Sequence, residues 1–223
     1  MKKFDVIVAD PPWHFNDGLE KMKTPVRRSA QSQYSTLSLN EIQSLQIRQL
    51  ANPSGCLLAL WVPSSMLEAG METMRRWGFT LKQTFIWVKL KKNYALEEDW
   101  NQATRFGMGR LFRQAHEIAL LGTSGKSIYP KLKDNSQRSV AFDLNKGHSI
   151  KPETLQDRLD VMFPDSEKLE IFARRVKPGW TCIGDGVTGI DVRQSIEQLL
   201  DADELPNQVL VPQDSFEEET TEV

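Results

Sequence analysis

The sequence predicts an α/β fold: a mostly parallel sheet with helices on both faces. Two observations carry this. Short, almost wholly apolar runs recur at 4–9, 56–62, 84–88, 117–122, 169–173 and 180–183, the length expected of strands. Several are separated by segments with helical spacing and by glycine or proline stops, and none shows the alternation of a half-solvated strand.

The first run, Phe4-Asp5-Val6-Ile7-Val8-Ala9, ends at Asp10-Pro11-Pro12-Trp13. The prolines bias Asp10 away from helix and donate no backbone hydrogen bond. The carboxylate and turn carbonyls are thus expected to face outward at the carboxyl end of a strand, where open α/β sheets place their ligands. A carboxylate beside a carbonyl suits a group with two N–H donors, such as an exocyclic amine, and Trp13 offers a flat face for its ring. A simpler role for this turn is a helix cap at Asp10 with Trp13 in the core.

Residues 14–33 are polar and aperiodic, with Lys21, Lys23, Arg27 and Arg28, and read as a long loop beside Asp10. Ser38-Leu39-Asn40-Glu41 has capping-box spacing, followed by Ile42, Leu45 and Ile47 as a short helix face. The strand Cys56–Val62 stops at Pro63, and a helix runs from Ser65 to a close at Gly78. A third strand is expected over Thr84–Val88. Residues 89–115 read as irregular and basic, Glu117–Gly122 as a strand, and 123–150 as loop. Lys151-Pro152-Glu153 opens a helix through Phe163, with proline early, where it is tolerated. The strand Leu169–Ala173 leads into Arg174 and Arg175. The last strand, Trp180–Ile183, runs into Gly184-Asp185-Gly186-Val187-Thr188-Gly189 and a helix to about Leu200.

Composition narrows the classes. A chain of 223 residues is long enough for one such domain, here 1–200, and it contains no apolar run of membrane-spanning length. Met1-Lys2-Lys3-Phe4 leads straight into a strand, so no signal peptide is expected, and the reading is cytoplasmic. Cys56 and Cys182 sit in apolar runs, as small buried hydrophobes of a reduced protein. His14, His116 and His148 lack metal-ligand spacing, so no metal is assigned. Residues 201–223 carry eight acids and no Lys or Arg; without those charges the overall −2 becomes +6 for residues 1–200. A basic body with an acidic, flexible tail is compatible with a polyanionic ligand, and on charge alone a solvated surface fits equally.

Gly184, Gly186 and Gly189 form G-x-G-x-x-G between a strand and a helix. A dinucleotide cofactor would also need an acid on a strand end about twenty residues on. Asp203 lies in the tail instead, which counts against NAD. Lys151 and either Arg174 or Arg175 follow loop or strand ends, where they could meet a cofactor's carboxylate or simply be surface charge.

Together with the turn at Asp10, further segments occur in a recognisable order: Tyr34-Ser35-Thr36-Leu37-Ser38, Leu60-Trp61-Val62, Trp77-Gly78-Phe79, Ile86-Trp87-Val88-Lys89, His116-Glu117, His148-Ser149-Ile150-Lys151-Pro152, Lys168 to Arg174, and Pro178-Gly179-Trp180. Over roughly residues 4–190 the chain resembles the MT-A family of adenine-N6 methyltransferases, which includes small bacterial and phage DNA adenine methyltransferases. The resemblance implies a Rossmann-like class I methyltransferase using S-adenosylmethionine. It implies that Asp10 and the Pro11 carbonyl hold the target amine, with Pro12 completing the motif and Trp13 and Tyr34 lining the base pocket. Trp61 and Glu117 join the substrate side. Apart from the resemblance, the basic loops 14–33, with Arg27 and Arg28, and 89–150, chiefly over 89–138, are the candidates to hold the phosphates of a nucleic acid. Asp10, Lys151, Phe172, Arg174, Gly184, Asp185 and Gly186 are implied on the cofactor side. The chain departs from many relatives in having Asp185-Gly186 where they carry Asn and a polar residue; a carboxylate there still accepts from ribose hydroxyls. The expected partner is nucleic acid, DNA before RNA, with a homodimer or paralogous subunit allowed. A silent binding partner would be expected to have lost the acid or the aromatic, and Asp10 and Trp13 are both present.

Overall fold

A computed structural model describes residues 2–13, 37–93, 99–107, 111–145, 147 and 150–201; for Trp100 and Asn101 it describes the backbone alone. Seven strands form one sheet in the order β5-β3-β4-β2-β1-β6-β7. They are β1 (Val6–Ala9), β2 (Cys56–Val62), β3 (Thr80–Leu90), β4 (His116–Ser124), β5 (Val140–Leu144), β6 (Lys168–Ile171) and β7 (Thr181–Ile183). Among them β4 alone is reversed, pairing antiparallel with both β2 and β3. An apolar run covered on both faces carries no mark of its direction, so the sequence did not betray that reversal.

Side chains alternate between two cores. Ile7 and Ala9 of β1, with Leu58, Leu60 and Val62 of β2, face α1 (Leu39–Ser44), α2 (Ile47–Leu50), α3 (Leu67–Arg76) and α7 (Val192–Asp201). Val6, Val8, Leu57, Ala59 and Trp61 face the other way, with Leu155 and Leu159 of α5 (Thr154–Met162). Two further short helices are α4 (Trp100–Ala103) and α6 (Asp185–Thr188).

Local chemistry sets the boundaries. Ser38 caps α1 and Glu41 reaches back to the Ser38 N–H at 2.8 Å, completing the expected box. Ile47 falls in α2 rather than extending α1. Ser64–Met66 forms a 3-10 turn before α3 begins at Leu67. Strand β3 starts four residues earlier than its apolar run, because β4 pairs with its exposed polar half through a bulge between Leu81 and Gln83. β5 lies in a stretch expected to be loop; at the sheet edge only Ala141 of its five residues is buried, so its apolar signal is weak. β6 ends at Ile171 rather than Ala173, since Phe172 turns to φ 64°. Cys56 is buried, which pushes its thiol up to about 12, while Cys182 is half-buried; both are free.

Candidate active site

The register aligns the carboxyl ends of three neighbouring strands. Ala9 pairs with Ile171, and Ile171 with Ile183. The next residues, Asp10, Phe172 and Gly184, therefore form a row across β1, β6 and β7. On the other side Ala9 pairs with Leu60, which sets Trp61 beside Asp10. The chain leaves β1 for β2 on one side and reaches β6 on the other, so Asp10 stands at the topological switch point.

Asp10 is not a helix cap. Both its carboxylate oxygens accept from Lys151 Nζ, at 2.8 Å each. Lys151 also meets Glu117 Oε2 at 3.2 Å, and Glu117 meets Lys89. Four alternating charges thus run from the tip of β1 across β4 to β3. Burial pushes the Glu117 carboxyl up, but the charges and hydrogen bonds of Lys151 and Lys89 outweigh it and hold it below its ordinary value. Burial pulls the Lys151 ammonium down, and Asp10 and Glu117 more than reverse this. The Lys151 ammonium also lies 5.7 Å from the centre of the Trp61 ring.

The turn after Asp10 is braced internally. The Trp13 N–H donates to the Pro11 carbonyl at 2.8 Å, and Trp13 Nε1 donates to the Trp61 carbonyl at 2.7 Å. The Pro11 oxygen is thereby fixed in direction and keeps a second lone pair. Pro11 is buried, and Pro12 and Trp13 are half-buried.

Several expected site residues take different places. Trp61 is 1% exposed and packs edge-on against Phe85, so it supports Lys151 rather than offering a base a surface. Lys151 bridges Asp10 and Glu117 and lies over the Trp61 ring. Arg175 is held by Glu153 and Glu170, and Arg174 beside it is exposed. A Cβ at Gly184 would lie 2.7 Å from the Ala173 carbonyl oxygen, and one at Gly186 3.3 Å from Arg174 Cα. These two glycines let the β7 turn close on the β6 turn. Tyr34, Arg27, Arg28, His14, His148 and the tail beyond Asp201 lie outside the described residues, as does all of the loop 14–33.

Lys89 was missed as a site residue. It follows an apolar run, and its proximity to Glu117 arises only from the β3–β4 register, in which Trp87 pairs with Glu117. Two surface cavities, of about 270 and 360 Å³, lie near Asp5 and Lys3 at the opposite end of β1.

The MT-A70 family model matches residues 4–186, which include the whole row and the charge chain. The chain belongs to the MT-A70 family. It is 32% identical over 192 residues to human METTL4, an N(6)-adenine-specific methyltransferase, covering 83% of this chain and 38% of that protein. It is 28% identical to the Type II methyltransferase M.MunI of Mycoplasma sp, covering 80% of this chain and 76% of the relative. Human METTL3, an N(6)-adenosine-methyltransferase catalytic subunit, is 28% identical over 84% of this chain and 29% of its own length. The chain spans from about a quarter to under two fifths of the eukaryotic relatives. MT-A70 is a family of N6-adenine methyltransferases, and this member carries its fold: a mostly parallel seven-stranded sheet between helices. No helix among the described residues is long and apolar enough to cross a membrane.

Proposed function

We propose that the chain transfers a methyl group from S-adenosylmethionine to the exocyclic N6 amine of adenine in DNA. One observation carries this reading: the Asp10 carboxylate and the Pro11 carbonyl stand at the switch point of the sheet, in line with Phe172 and Gly184 on the next two strands.

The residues present fit the donor. Its chemistry asks for carboxylates toward hydroxyls and an amine, cations toward a carboxylate, and an apolar face for its ring. Asp185, Arg174 and Phe172 supply these around the paired β6 and β7 turns, where Ala173 N donates to the Ile183 carbonyl at 2.9 Å. Phe172 at φ 64° is the only non-glycine residue with positive φ among those described, and such strain gathers at ligand sites. When bound, S-adenosylmethionine supplies an electrophilic methyl group.

Everything else falls to the chain. Adenine's amine is a poor nucleophile because its lone pair is delocalised into the ring. Asp10 and the Pro11 carbonyl, accepting its two N–H bonds, orient it and favour the localised lone pair. Lys151, donating to both oxygens, holds the Asp10 carboxylate in place. Because Glu117 also holds it, Lys151 leans toward Glu117 when the amine arrives, without losing its charge partner. Trp13, anchored to the β2 carbonyl, stacks on the everted base. Much of the rate then comes from placing two reactants together.

DNA is placed before RNA on the resemblance to small bacterial and phage DNA adenine methyltransferases, and the 28% identity to the Type II methyltransferase M.MunI supports that choice. Methyl-tritiated donor incubated with DNA and with RNA, followed by mass spectrometry of the bases, tests the reading. N6-methyladenine in DNA is expected; methylation confined to RNA would overturn the choice of polymer. Bound donor with no transfer to either would make the chain a silent partner.

A further inference from the structure

We propose, building on the DNA reading above, that Leu111 and Phe112 form a wedge that enters the duplex beside the target adenine and fills the gap it leaves.

Leu111 is 95% exposed and Phe112 88%, the two most exposed large hydrophobics among the described residues. Phe106, on the opposite leg of the same loop, is 53% exposed. Isolated exposed apolar side chains are ordinary, but an adjacent Leu–Phe pair this bare is not a solvation device. The loop is anchored at its base. Gly107 N donates to the Gln114 carbonyl at 2.9 Å, and the Gln114 amide reaches Ser64, just past the end of β2. Arg105 N donates to the Lys89 carbonyl, and Lys89 N to the Ala115 carbonyl, both at 2.8 Å. The two legs therefore grip the residue that closes the charge chain from Asp10.

Reach and charge fit the role. Phe112 is five positions and Leu111 six from Glu117, so the pair stands within roughly 22 Å of the Glu117 end of the charge chain. Residues 100–115 carry Arg105, Arg110 and Arg113 and no acid. Cations next to an apolar pair in the sequence match a duplex, whose phosphates surround a step that Leu and Phe side chains open in other proteins. A protein partner would more naturally meet a broad face with its charged residues at the rim. The wedge stabilises the everted state by occupying the vacated stack, and it has no task on a strand already unpaired.

The test uses one sequence in two forms, a single-stranded circular phage DNA and its double-stranded replicative form. Leu111→Ala with Phe112→Ala should lower kcat/KM on the duplex by about 10- to 100-fold and leave the single strand within about twofold. Leu111→Met with Phe112→Trp should restore most of the duplex rate. Both residues are exposed, so Tm should not move. An unchanged duplex rate, or an equal loss on both forms, would overturn the wedge. So would a variant that sediments as a monomer where the wild type is a dimer, since the pair would then be a subunit contact. A wild type that methylates neither form defeats the underlying DNA reading, and is recognised because wild type and variant fail alike.

Discussion

The Lys151 ammonium lies 2.8 Å from both carboxylate oxygens of Asp10, although 141 positions separate the two in the chain. Neither is fully enclosed: the side chains are 18% and 23% exposed. The pair is therefore open enough to exchange partners, and enclosed enough that breaking it leaves a charge with poor solvation. On the proposed reading, the target amine takes the place of the cation on Asp10, and Glu117 keeps that cation paired.

Asp10→Ala should abolish methyl transfer, by about a thousandfold or more, because one of two acceptors for the reacting amine disappears. S-adenosylmethionine affinity should fall only modestly, since Asp185, Arg174 and Phe172 remain. Tritium transfer and calorimetric titration of the same protein separate the two effects. Near wild-type turnover would remove Asp10 from the chemistry.

The charge chain also sets a pH profile. Glu117 is held below its ordinary 4.5 in the folded chain, so the stability it contributes is present above 4.5 and lost as pH falls through the lower folded value. Lys151 is raised above 10.5, so its contribution is complete below 10.5 and lost as pH climbs through the higher folded value. Stability from these groups should be level between roughly pH 5 and 10. Glu117→Gln should flatten part of the acid limb, read as the urea midpoint between about pH 3 and 6. An acid limb of unchanged steepness would show that Glu117 does not contribute to it.

Arg27→Ala with Arg28→Ala should weaken DNA binding and reduce the slope of log K against log salt by about two, one unit for each phosphate no longer neutralised. Filter binding from about 50 to 200 mM salt reads that slope. An unchanged slope would clear this loop of any role in holding phosphates.

The turn at Asp10 and its place on the sheet were legible because each rests on local chemistry. An apolar strand announces itself, two prolines force its end, and the Ser38–Glu41 spacing writes its own cap. Pairings were not legible. Lys89, Glu117 and Lys151 come together only through the β3–β4 register and the path of the chain into α5, and no local signal encodes either. β5 and the first half of β3 escaped because their partners, not their own side chains, make them strands. The surroundings of Trp61 were not legible for a related reason: an aromatic at a strand end looks alike whether it faces a pocket or a second core, and here it packs against Phe85 with Lys151 over its ring.

The glycine turn is where chain geometry and ligand binding can be told apart. A Cβ on Gly184 would lie 2.7 and 2.8 Å from the Ala173 oxygen and nitrogen, with φ at 153°, so Gly184→Ala must push the β7 turn off β6. It should cost stability by at least about 1–3 kcal/mol, the strain of forcing an alanine into that backbone region. Gly189 caps α6 at φ 68° with nothing within 4 Å of its Cβ position, so Gly189→Ala should cost about 1–2 kcal/mol and leave the turn in place. Gly186 has no positive φ, and its Cβ would approach Arg174 Cα at 3.3 Å. Gly186→Ala should therefore fold almost as well as wild type while shifting the Arg174 backbone by a few tenths of an ångström. If that backbone borders the donor, S-adenosylmethionine affinity drops in Gly186→Ala and holds in Gly189→Ala. Equal affinities, measured by titration beside urea unfolding of all three variants, would mean the glycines serve only the closure of the two turns.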